Sequence, residues 1–334
     1  MKPRLLFLTL AAALAAPALA AVNPGPAAAE IREAVDRAVP LIQKGASGYT
    51  KKRGCFSCHH QTMSVLALTF ARSRGFKVDP AILEEQVRFT EESLKAGKDG
   101  YRQGKGQGGA VDTAGYALMA LDVGGFKPDE TTAAVAEYLL LWTRQPDHWT
   151  SSSNRPPSEK SPFTATFVAL RGLSSFGTEE QQERITARRE KVREWLLKTP
   201  AADTEDRAFR LSALFYAKAD TAALEEAKTQ LLSSQREDGG WSQTPEMVSD
   251  AYATGTALVA LHLAGKVPVS DPAYQRGLRF LTESQKSDGS WYVASRSRPF
   301  QPYFESGFPY GKDQFISMAG TCWATAALAL GSGK

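Results

Sequence analysis

Six times along the chain, a helix-forming segment charged on one side is followed by one that is apolar nearly all round. This alternation constrains the fold more than any other feature. The pairs are 31–44 with 61–74, 82–96 with 113–123, 131–145 with 163–176, 181–198 with 207–217, 221–234 with 251–264, and 272–285 with 315–330. A helix charged on one side lies at a surface, whereas one apolar all round, such as 112–122, must be covered on most sides. Two concentric rings satisfy both demands. The pattern predicts an all-α toroid of about six helix pairs, in one domain over 30–334.

The connectors add a direction. Those from a second-type helix to the next pair are short and contain Gly or Pro, whereas those within pairs are mostly long, as at 97–111, 146–162, 238–250 and 288–314. With antiparallel neighbours, all the long loops fall on one rim, where sites usually sit. Asp112, Asp206, Asp250 and Asp313 each stand at the start of a second-type helix. Each one alone is explained by capping and dipole pairing. Together they gather carboxylates at one mouth, suited to a cation or a polyhydroxylated ligand.

The first repeat carries Gly54-Cys55-Phe56-Ser57-Cys58-His59-His60 at the same rim. Two thiols separated by two residues and followed by an imidazole have the spacing for c-type haem attachment, with His59 on the iron. On that expectation Cys55 and Cys58 anchor haem c, and Arg296 and Arg298 pair with its propionates. Phe300, Tyr303, Phe304, Phe308 and Tyr310 would cover the ring, and Met318 is a candidate distal ligand. A disulfide between Cys55 and Cys58, or a metal site shared with His59 and His60, is the bland alternative. Cys322 lies in an apolar helical pattern and reads as a buried, inert thiol.

Haem attachment requires export. Lys2 and Arg4, the apolar run 5–15 and Ala18-Leu19-Ala20 read as a signal peptide over 1–20, followed by a flexible lead at 21–29. Its removal takes the formal net charge from +4 to about +2, too balanced to argue for nucleic acid. No later apolar run is long enough for a membrane span. These features predict a periplasmic or otherwise exported protein. The leading functional expectation is haem redox chemistry or electron transfer with a periplasmic partner.

The stretch 276–291, with Gln285-Lys286-Ser287-Asp288-Gly289-Ser290-Trp291, closely resembles the QW repeat of squalene-hopene cyclases. Gln235 to Trp241 is a second copy, and Gln145-Pro146-Asp147-His148-Trp149 a degenerate trace. The resemblance covers nearly all of the chain after the leader. It implies the α/α toroid of terpenoid cyclases and protein prenyltransferase β subunits. Class II cyclases of this superfamily start catalysis with an Asp-x-Asp-Asp motif. The nearest match is Asp203-Thr204-Glu205-Asp206, with Glu205 at the donor position. The implied alternative is a cyclase-like isomerase acting on an apolar terpenoid, with Asp203, Glu205 and Asp206 as catalytic residues. The zinc site of the prenyltransferases is not matched, because no histidine follows His262. A third possibility is a non-catalytic toroid that binds a glycan, an apolar ligand or a protein.

Overall fold

The computed structural model describes residues 25–298 and 303–333. The leader expected at 1–20, residues 21–24 of the lead expected at 21–29, and Phe300 therefore lie outside the described residues, and the end of that lead is already the first turn of α1. In chain order the helices are α1 (Ala28–Thr50), α2 (Met63–Ser73), α3 (Pro80–Lys95), the short α4 (Lys98–Arg102), α5 (Ala110–Val123), α6 (Glu130–Leu141) and α7 (Pro162–Phe176). They continue with α8 (Gln182–Lys198), α9 (Thr204–Tyr216), α10 (Thr221–Leu232), α11 (Ala251–Leu263), α12 (Pro272–Ser284) and α13 (Gln314–Gly331). A π-helical turn, Cys58–Thr62, leads into α2.

Burial sorts these helices into two rings. Every residue of α11 from Ala251 to Leu261 is buried, whereas α8 buries only Ile185, Val192 and Leu196. Helices α2, α5, α7, α9, α11 and α13 pack in succession, and α13 closes on α2. Outside them stand α1, α3, α6, α8, α10 and α12. The expected all-α toroid is the fold that forms. Asp or Ser caps start many of its helices, with Asp203 accepting from the Asp206 amide and Asp250 from that of Ala253. Each cap satisfies an amide that has no partner within the helix.

The QW segments hold the rings together. Trp149, Trp241 and Trp291 are fully buried. Each indole donates at 2.9 Å to a carbonyl of the preceding outer helix, those of Leu139, Leu231 and Leu281. Each Trp amide also donates to an inner-helix threonine, Thr166, Thr254 or Thr321. Gln235 and Gln285 reach the next outer helix, donating to the carbonyls of Ala273 and Ala34 at 2.7 and 2.8 Å. Gln285 thereby joins the last repeat to the first. Gln145 has no such reach: its side chain accepts from Thr150, while Arg188 covers Trp149. Among the described residues, no helix is long and apolar enough to cross a membrane.

Candidate active site

The N-terminal ends of the inner helices meet on the long-loop rim. Helix α9 starts there with Asp203 as its cap, and Glu205 lies in its first turn, buried with 5% exposure. Glu205 Oε1 accepts from Thr164 Oγ1 of α7 at 2.8 Å and from the Tyr252 hydroxyl of α11 at 3.4 Å. Its Oε2 is buried and has no hydrogen-bond partner. Loss of solvent pushes the Glu205 carboxyl well above its ordinary range, with the negative charges of Asp203 and Asp206 adding to the rise. Thr164 and Tyr252 oppose this by hydrogen bonding. The result is a carboxyl biased toward its protonated form, with one oxygen clamped and the other unclaimed.

Asp203 and Asp206 are half-buried on either side of it. Burial raises the Asp203 carboxyl, partly offset by the Asp206 amide that it caps. Asp206 accepts from Ser161 Oγ at 2.6 Å and from the Ala202 amide at 3.0 Å. The three acidic residues read from the sequence are therefore one cluster. Thr164 and Tyr252, which set its chemistry, come from neighbouring inner helices and carry no local sequence signal.

One turn further along the same helices is an apolar cavity. Residues four apart lie on one helix face, so Phe209 follows Glu205 and Thr256 follows Tyr252 down the inner wall. Both line the cavity together with Phe167, Phe215, Tyr216 and Trp323. The rings of Phe167 and Phe209 are 5.4 Å apart, and those of Phe209 and Trp323 are 6.1 Å apart. Arg171 stands in the wall and is paired with Asp122 at 2.6 Å. The cavity measures about 60 Å³. That is well below the few hundred Å³ of an ordinary ligand pocket, because aromatic side chains occupy the centre.

The remaining residues expected at the rim separate. Cys58 is buried and turned inward, donating to Glu159 Oε1 at 3.3 Å, with its Sγ 3.2 Å from His59 Nδ1. Cys55 is exposed, with its Sγ 3.4 Å from the Tyr49 hydroxyl, and the three cysteines are free thiols. His60 is fully buried, stacked on Tyr49 at 4.8 Å, and burial lowers its pKa to about 3. Arg296 donates to Gln243 at 3.1 Å beside Asp250, and Arg298 is exposed. Met318 is fully buried in α13 against Gly45 of α1. Asp112 is held by Ser151 at 2.5 Å and by the Ser152 amide, and burial still raises it to about 7. Asp313 accepts from Tyr292 and from the Ser295 amide.

Comparison with known proteins bears on the two catalytic expectations. The apo structure of the type II terpene cyclase MstE from Scytonema superposes with a TM-score of 0.58, covering 92% of this chain and 99% of that one at 14% identity. The fold is that of the type II terpene cyclases. The ent-copalyl diphosphate synthase from Streptomyces platensis matches 80% of this chain and 50% of its own, with a TM-score of 0.50 and 18% identity. In sequence, the drimenyl diphosphate synthase of Streptantibioticus cattleyicolor is 29% identical over 208 residues, or 57% of this chain. The matched part is 37% of that enzyme, so this chain spans little more than a third of its curated relative. No family model matches the chain.

These relatives overturn the reading as a haem c electron-transfer protein. They are terpene cyclases and synthases, and the cyclase-like alternative is the one they support. The spacing of Cys55, Cys58 and His59 satisfies haem attachment locally, yet Cys58 is packed against Glu159 and the two sulfurs have different surroundings.

Proposed function

We propose that the chain is a cyclase-like isomerase that protonates an alkene of an apolar isoprenoid substrate, with Glu205 as the proton donor. The observation that carries this is the buried Glu205 carboxyl, with its unpartnered Oε2 one helical turn above an aromatic cavity. Because Oε1 already accepts from Thr164 and Tyr252, the proton belongs on Oε2. Transfer of that proton to an alkene carbon leaves a carbocation on the neighbouring carbon. A second π bond of the substrate attacks the cation to close a ring, and loss of a proton from carbon completes a redox-neutral isomerisation. Phe167, Phe209, Tyr216 and Trp323 line the cavity, and aromatic rings stabilise a cation that lies over their faces. Asp203 and Asp206 sit on the rim side of Glu205, where a proton can be resupplied.

The likeness to MstE, whose variant was captured with geranylgeranyl dihydroxybenzoate as substrate, suggests a first probe. The protein is incubated with that compound and with squalene in deuterated buffer. The expected product is cyclised and carries one solvent deuterium at the initiating carbon. Glu205→Gln keeps the shape and removes the acid, so turnover should fall by roughly 10²–10⁴-fold with unchanged far-ultraviolet circular dichroism. Equal turnover by Glu205→Gln would refute the assignment. The pH dependence has a definite sign: turnover falls as pH rises through the raised value for Glu205, because only the protonated form donates.

A further inference from the structure

The Cys58, His59 and Glu159 side chains are not used by the proposed proton chemistry, and their arrangement points elsewhere. Their Sγ, a ring nitrogen and a carboxylate oxygen lie within 4.8 Å of one another, and the nitrogen beside the sulfur is Nδ1. The π-helical turn Cys58–Thr62 presents the first two, and the loop between α6 and α7 folds over to supply the third. That loop is pinched by mutual backbone hydrogen bonds between Arg155 and Glu159. Cys58 and Glu159 are 7% and 6% exposed, while His59 is half-buried. The site is thus enclosed on two sides and open through the histidine.

We propose that Cys58 Sγ, His59 Nδ1 and Glu159 Oε1 form a site for a zinc-class divalent transition metal. The separations suit one ion. Tetrahedral zinc, with Zn–S near 2.3 Å and Zn–N near 2.0 Å, places its sulfur and nitrogen ligands about 3.5 Å apart. The observed separations are 3.2 Å for Cys58 to His59 and 3.3 Å for Cys58 to Glu159. The donor set of thiolate, imidazole and carboxylate favours zinc over magnesium or calcium, which take oxygen ligands. Three protein ligands leave the fourth position for water or a small ligand.

The surroundings supply the outer contacts that such a site uses. His59 Nε2 lies 3.2 Å from Ser158 Oγ, so it can donate there while Nδ1 presents a lone pair to the metal. Glu159 Oε2 is paired with Arg155 and accepts from Ser153 Oγ at 3.1 Å, leaving Oε1 to face the thiol. Cys55 is outside the ligand set, at Tyr49. This inference does not rest on the proton chemistry at Glu205.

The test uses the whole chain, stripped with chelator and titrated with Co²⁺ and then Zn²⁺. One equivalent of Co²⁺ should give a thiolate charge-transfer band in the near ultraviolet and intense visible bands of tetrahedral cobalt, displaced by one equivalent of Zn²⁺. Cys58→Ser should abolish the charge-transfer band, whereas Cys55→Ser and Cys322→Ser should retain it. Ser158→Ala leaves the three ligands in place and should weaken Zn²⁺ binding by about 10- to 100-fold in competition with a chromophoric chelator. A titration without a thiolate band, or a band that survives Cys58→Ser, would overturn the site. So would a covalently bound haem, found by a pyridine haemochrome spectrum after acid-acetone extraction, because thioether formation at Cys58 takes the same sulfur.

Discussion

Asp250 shows how burial turns a helix cap into a pH-sensitive group. It accepts from the Ala253 amide and, through Oδ2, from Gln243 at 3.0 Å, yet loss of solvent raises it from 3.8 to about 6. A carboxyl raised in the folded state binds its proton more tightly there than in the unfolded chain. Its contribution is therefore most favourable at low pH and is lost as pH rises from about 4 through about 6. Asp250→Asn keeps the capping oxygen and removes the charge. Relative to the parent, the variant should gain stability between pH 4 and pH 7, by on the order of 3 kcal/mol at most. Urea unfolding at the two pH values checks this, and parallel pH dependences would refute it. At this scale the sequence revealed the acidic quartet but not its partners. Asp203-Thr204-Glu205-Asp206 is contiguous and can be read directly. Thr164, Tyr252 and Glu159 lie about 40 or more positions from the groups they touch, on segments whose composition is ordinary.

At the scale of elements, the Asp-Gly turns of the QW segments have the tightest requirements. Gly239 and Gly289 have φ of +83° and +90°. A Cβ at these positions would lie 2.7 Å from the Arg276 carbonyl oxygen and 2.4 Å from that of Arg37. Each glycine thus serves a left-handed turn and a close approach to the next outer helix. Gly289→Ala should destabilise the protein by more than the roughly 1 kcal/mol of backbone strain alone, since the Arg37 backbone must also move. Trp291→Ala should cost about 3–5 kcal/mol. Thermal unfolding of the two variants checks both values, and a Gly289→Ala midpoint equal to the parent would show that α1 yields freely. The helix pairs were legible because their two kinds of face differ in charge. The π-helical turn and α4 were not, since one records a hydrogen-bond shift and the other is a single turn within a long connector. The start of α2 moved from 61 to Met63 for the same reason.

At the scale of the molecule, the rings close when α13 packs on α2 and Gln285 reaches Ala34 across 251 positions of sequence. That closure puts six inner-helix N-termini at one rim, as the long connectors implied. The apolar cavity, by contrast, lies one turn and more beyond them, because its walls are the aromatic side chains of the inner helices. Its volume of about 60 Å³ is too small for an isoprenoid with the aromatic rings placed as they are. Phe209→Ala removes a cavity-lining side chain one helical turn beyond Glu205 and opens that space. Its unliganded form should unfold earlier, with a loss of about 3–5 kcal/mol from the emptied core. A ligand that binds only the folded state stabilises it in proportion to its affinity. Squalene should therefore raise the melting temperature of Phe209→Ala, relative to its own unliganded value, by more than it raises that of the parent. Equal shifts in the two proteins would mean that squalene binds elsewhere and that the aromatic cavity is not the substrate chamber, even if the parent proves stable to every other test.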